Sequence, residues 1–202
     1  MELNEYQQIM FLDIIRTIPG GKDLSEREEI RIMELARFLE FWDGKVYSME
    51  GTVSGGLSFL NTGMFKITNV KTESCTEKLR DLNFPGYNIM VGNIDSLFSR
   101  IPAPTSIHSV GNSTSFGFGY SDLLNLKKDI PCFGGIIFQM IINSLMAHPN
   151  LIRGFEGLNK VEKWIQFNMM YPDIAKELTL IHLASLFELS KTTYQKEKAI
   201  NP

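Results

Sequence analysis

Glycines recur at positions 44, 51, 55, 56, 63, 86 and 92, and short apolar runs such as residues 57–60 and 64–67 lie between them. A stretch broken so often cannot sustain long helices; it favours short strands joined by tight turns. Many short strands of this kind predict a jelly-roll or barrel rather than an open sheet. The texture is confined to residues 43–120, and both flanks read as helix. In residues 3–41, Tyr6, Ile9, Met10 and Leu12 precede a break at Ile18-Pro19-Gly20-Gly21. Ser25 with Glu28 then forms a capping box that opens a helix carrying Ile30, Met33 and Leu35. The polar residues 69–80 predict an exposed hairpin loop. In the clearest strand, Phe116-Gly117-Phe118-Gly119-Tyr120, aromatics share one face and glycines the other. A glycine face marks either a bend or the close approach of another group, a ligand included.

After residue 123 the pattern returns to helix. Phe133, Ile136, Ile137, Met140, Ile141, Ser144 and Leu145 form a broad stripe over about three turns. So apolar a stripe must pack on the sheet, on a second copy of the chain, or on both. Phe133, Ile137, Met140, Ile141 and Leu145 are the candidate homodimer interface. Pro149 is expected to break or kink this helix, because it lacks an N–H and clashes with the preceding turn. The expected organisation is α+β: a jelly-roll sensor domain over residues 1–130 with flanking helices, a long dimerisation helix over 131–148, and a helix-turn-helix domain over 149–202.

The last 28 residues read as two short helices joined by a tight turn. Leu180, Leu183, Ala184 and Phe187 share a face at i, i+3, i+4 and i+7, and Ser190 can cap the second helix. That helix would expose Lys191, Thr192, Thr193, Gln195, Lys196 and Lys198. Cations and amides on one short helix have the chemistry to read a DNA major groove. The competing reading is a terminal hairpin that only caps the core. Net charge does not favour broad nucleic-acid affinity, since it is −3 for the whole chain. From Asn150 onward seven Lys/Arg face six Asp/Glu, a net of +1, which allows weak DNA binding there.

Residues 181–198 resemble the winged-helix reader of the Crp/Fnr family of bacterial transcription regulators: an apolar helix with Ala184-Ser185, a turn, a Ser cap and a helix ending in basic residues. Residues 161–167 and then Tyr171-Pro172-Asp173-Ile174 are similar to that family's link between dimer helix and DNA-binding domain. Residues 24–29, Asp43-Gly44-Lys45, Gly51, residues 57–63 and Phe84-Pro85-Gly86-Tyr87 fall in the order of its cyclic-nucleotide-binding barrel. The resemblance implies a homodimeric regulator that binds two-fold symmetric double-stranded DNA under the control of a small effector. It also implies a cassette in which a Glu takes the ribose and an Arg with a small neighbour pairs with the cyclic phosphate. In this chain Met90 or Val91 stands in the Glu place and Pro104-Thr105 in the Arg place, with Arg100 four residues early. A cyclic phosphate would lose water there and gain no buried cation. The cassette is therefore degenerate, and the expected effector is not cyclic AMP. Phe84, Tyr87, Met90, Pro104 and Thr105 are the candidate effector pocket.

Enzymatic readings find no support. His108, His148 and His182 lie far apart with no cysteine or carboxylate at metal-ligand spacing, and no His-x-His occurs. No nucleophile elbow, Walker loop or His-Glu-x-x-His appears, so no catalytic residue, metal or cofactor is expected. Cys75 and Cys132 make no disulfide framework, which suits a reducing cytoplasm. No signal peptide is evident in residues 1–20, and residues 136–146 are too short an apolar run to span a bilayer. An alternative stays open: a degenerate sensor or interaction module that keeps this architecture without binding DNA.

Overall fold

The computed structural model describes residues 3–71, 76–178, 182, 186 and 187. Helix α1 (Glu5–Arg16) opens on a capping box between Asn4 and Gln7. After the Pro-Gly-Gly break and a short turn of helix at Gly21–Asp23, α2 (Glu26–Leu35) opens on the expected box. There the Ser25 N–H donates to Glu28 Oε2 at 2.8 Å. That bond and the Ser25 hydroxyl hold the Glu28 carboxyl below its ordinary range.

The helical texture ends earlier than expected. Arg37–Phe41 is strand β1, followed by β2 (Val46–Ser48), the long β3 (Gly56–Lys71), β4 (Thr76–Asn83), β5 (Met90–Val91) and, beyond helix α3 (Ile94–Ser99), the long β6 (Ser106–Gly119). Much of the predicted polar loop at 69–80 belongs instead to the β3–β4 hairpin, whose ladder runs out to Lys71 and Thr76. All pairings are antiparallel, in the order β1-β6-β3-β4, with β2 also on β6 and β5 also on β3.

The two long strands each change outer partner midway: β6 passes from β2 to β1, and β3 from β5 to β4. Their mutual register slips between Leu60 and Met64. Gly63 makes that slip possible, with φ of 84° and a missing Cβ that would sit 2.4 Å from Ser113 Oγ. The sheet curls so that Phe41, Leu60, Phe65, Val91 and Ile107, from β1, β3, β5 and β6, meet in one cluster. On its other face Leu57, Phe59, Phe116 and Phe118 receive α1 and α2; Phe11 stacks on Phe116 with ring centres 4.8 Å apart. At the glycine face, a Cβ on Gly117 would fall 2.7 Å from both Leu39 Cδ1 and Ser58 Oγ. Those side chains crowd Gly117, and together with Gly119, Arg37, Tyr47 and Ser54 they border a cavity of about 240 Å³.

Helix α4 (Tyr120–Asp129) leads into α5 (Phe133–Gly154), which runs through position 149 rather than ending at Pro149. The expected boundary at 148/149 thus falls inside one helix. Helices α6 (Lys160–Met170) and α7 (Pro172–Glu177) follow, the first capped by Asn159 and the second begun by Pro172.

Candidate functional site

Three places on this scaffold bear on function: the interior of the roll, the seam between roll and α5, and the surface that receives the C-terminal helices.

At the centre of the roll the chain's own side chains pack on one another. Phe41 meets Phe65 edge-on with ring centres 5.0 Å apart, and Tyr47 packs against both. The Tyr47 hydroxyl is bonded to Ser58 Oγ at 3.0 Å, and burial pushes its pKa up to about 12. Beside this core lie α3 and the segment behind it, which hold the residues compared above with a nucleotide cassette. Arg100, the one basic residue between positions 88 and 106, adopts a left-handed backbone and turns its guanidinium to the Ser54 carbonyl at 3.0 Å and over the Tyr120 ring. It supports the loop before β3 and the start of α4. The buried polar group that ties this segment together is Asn93, which no sequence motif singled out. Its Nδ2 donates to Ser48 Oγ and to the Thr105 carbonyl, and its Oδ1 accepts from Thr105 Oγ1 at 2.7 Å. A single amide between Gly92 and a short helix carries no periodic signal, so nothing in the sequence pattern marked it.

The five candidate effector residues do not line one cavity. Phe84 is fully buried and stacks on Tyr87 at 5.0 Å. Thr105 is spent on Asn93, and Pro104 is exposed beside it. Tyr87 and Met90 do come together, in a cleft of about 220 Å³ that also takes in Thr17, Ile18, Asn88, Met140, Asn143 and Ser144. Asn88 Nδ2 donates across the seam to Ser144 Oγ at 2.9 Å, tying the roll to α5. The Tyr87 hydroxyl donates to Asp81 Oδ1 at 3.0 Å; burial, then the Asp81 charge, raises its pKa.

The expected dimer stripe divides in two. Phe133, Ile137 and Met140 are buried in the chain's own core together with Ile136, and Ile141 packs half-buried against it. The four that belong to the expected interface, Phe133, Ile137, Met140 and Ile141, pack on α1, α4 and the sheet of their own chain. Of the five named residues only Leu145 is exposed, at 60%. It shares the outer face with Phe138, Ile142 and Met146, which are 63%, 37% and 40% exposed.

Below this helix, the outer surface of β3, β4 and β6 receives the C-terminal segment. Met64, Leu79, Leu82, Phe84 and Val110 of the sheet join Phe155, Trp164, Phe167, Ala175, Leu178 and Phe187 in a second core. Tyr171 meets Phe84 edge-on at 5.0 Å, and Phe167 meets Phe187 at 5.5 Å. Lys66 Nζ lies 3.2 Å from His182 Nε2. The predicted reader residues Lys191, Thr192, Thr193, Gln195, Lys196 and Lys198 lie outside the described residues, as do Leu180, Leu183, Ala184 and Ser190. Among the described residues no group of His, Cys, Asp and Glu could hold a metal ion, and no helix is long and apolar enough to cross a membrane.

No family model matches the sequence, and no curated protein does. Solved structures do. A Crp/Fnr-family transcriptional regulator from Eubacterium rectale, so described provisionally, superposes with a TM-score of 0.68 at 12% identity, over 90% of this chain and 85% of that one. The c-di-GMP responsive global regulator CLP of Xanthomonas campestris gives 0.65 at 12% identity, over 88% and 92%. The regulatory domain of Toxoplasma gondii PKA with cAMP gives 0.53 at 16%; this chain matches over 62% of its length and spans 46% of that chain. The fold is the cyclic-nucleotide-binding fold of Crp/Fnr regulators. The mixture of helices and antiparallel sheet expected from the sequence is the one these proteins share, and they are regulators and sensors rather than enzymes.

Proposed function

We propose that this protein is a DNA-binding transcriptional regulator of Crp/Fnr type, working in the cytoplasm as a homodimer and controlled by an effector other than cyclic AMP. The observation that carries the reading is the extent of the likeness. It reaches 88% and 90% of this chain, and 92% and 85% of the two regulators it superposes on. The uncovered apolar face of α5 supports the dimer, and a two-fold pair of readers would address a two-fold symmetric site. Arg100 turned to Ser54 and Tyr120, with no other cation in the cassette, supports the exclusion of cyclic AMP. The residues assigned to DNA are Thr192, Thr193 and Gln195 at base edges, and Lys191, Lys196 and Lys198 mainly at phosphates.

A second reading draws on Glu197 between Lys196 and Lys198. A carboxylate at the phosphates opposes binding, and lysine does not reproduce the bidentate arginine–guanine contact. A degenerate sensor that has lost DNA would look like this. Fluorescence anisotropy on a random duplex separates the two. The regulator binds weakly at low salt and releases as salt rises, and Lys198→Ala flattens the salt slope by about one unit. Absence of binding at low salt supports the degenerate sensor instead.

A further inference from the structure

The cleft at the seam of roll and α5 has a composition that selects its ligand. Its walls are apolar: Ile18, Met90 and Met140 on the sides, and the ring of Tyr87 held flat by Phe84 behind it. No lysine, arginine, aspartate or glutamate lines it. A charged molecule entering would give up its hydration for no counter-charge, so an ionic ligand is disfavoured.

Of the polar residues lining it, the Thr17 hydroxyl donates to the Ile14 carbonyl and the Asn88 amide is bonded to Ser144 and Met90, while Asn143 and Ser144 on α5 have hydrogens to give. Ser144 Oγ accepts from Asn88 Nδ2, so its O–H points elsewhere. Asn143 Oδ1 accepts from Gln139 Nε2 at 3.0 Å, which orients the Asn143 amide hydrogens away from that bond. A pair of donors beside an apolar wall is matched by an acceptor on an apolar body. The volume, about 220 Å³, equals roughly seven liquid water molecules and suits a single ring with one substituent.

We propose that this cleft binds a small uncharged molecule bearing a carbonyl-type acceptor on a flat apolar body. It deepens the sensor reading above and rests on that reading for its regulatory meaning. The bound molecule lies against Ser144 of the long helix, and against Tyr87, whose stacking partner Phe84 meets Tyr171 of the C-terminal segment. Occupancy is thereby felt at both α5 and the seat of α6 and α7.

Benzamide is the probe and benzoate, its charged isostere, the control, each titrated into the full chain labelled at its methionine methyls and followed by NMR. Benzamide shifts the Met90 and Met140 methyls saturably, with an affinity of about millimolar for so small a molecule. Exposed Met169 stays in place, and benzoate binds about tenfold more weakly. Asn143→Leu, a change at an exposed position, weakens benzamide about fivefold while leaving the remaining methyl resonances where they were. Shifts that fail to saturate, benzoate equal to benzamide, or an Asn143→Leu protein of unchanged affinity each overturn the proposal. A chain that binds benzamide but ignores duplex DNA contradicts the regulator reading and leaves the cleft standing. One that binds DNA but not benzamide removes the cleft alone.

Discussion

Helix α5 has two apolar faces with different fates. The inner one, Phe133, Ile136, Ile137 and Met140, is sealed against α1, α4 and the sheet; the outer one, Phe138, Ile142, Leu145 and Met146, faces water. A helix greasy on both sides is ordinarily buried on both sides. The inner face explains how this chain folds, and the outer face is the surface on which the proposed homodimer rests. Between them run Asn143 and Ser144, which carry the polar tie to Asn88.

Substitutions graded by face test that division. Phe133→Ala should cost about 3–5 kcal/mol in urea unfolding, since it empties a fully buried aromatic site; a cost under about 1 kcal/mol would place Phe133 outside the core. The second effect needs no inner-face change and comes from the roll interior. Tyr47 titrates at about 12 in the folded chain and near its ordinary value, about 10, when unfolded. A raised pKa contributes stability that is whole below about pH 10 and lost as pH climbs through about 12. The loss runs at about 1.4 kcal/mol per pH unit for the one proton, and Tyr87 adds to it in the same direction. Tyr47→Phe should flatten this alkaline limb, as read by denaturation at a series of pH values; an unchanged limb would show that Tyr47 is not buried as described. Ser144→Ala, on the flank, should cost about 1 kcal/mol by leaving the Asn88 amide unbonded. Least of all, Leu145→Glu should change the stability of a single folded chain by under about 0.5 kcal/mol, while abolishing self-association.

The sequence made some of this legible and hid the rest for physical reasons. The capping box at Ser25 and Glu28, the break at Pro19, and the strand texture of 43–120 are local signals, and each appears in the fold as read. Strand β1 was missed because residues 37–41 continue an apolar helix without a stop signal. The hairpin at 69–80 was expected as a loop, and its strands reach further than expected because polar residues mask strand periodicity. The faces of α5 could not be told apart, since periodicity locates a stripe only when its opposite side is polar. At Pro149 the break expected as one of two outcomes does not occur, because helix α5 extends to Gly154. Between positions 88 and 106 the sequence shows Arg100 as the one cation, whereas its turn to Ser54 and Tyr120 and the Asn93–Thr105 bonding required the fold.

Sedimentation velocity of the intact chain, wild type beside Phe138→Glu, tests the division of α5 most directly. A dimer for the wild type at micromolar concentration and a folded monomer for Phe138→Glu is the predicted result. A wild-type chain that sediments as a monomer under those conditions, with Phe138 and Leu145 left facing water, would contradict it.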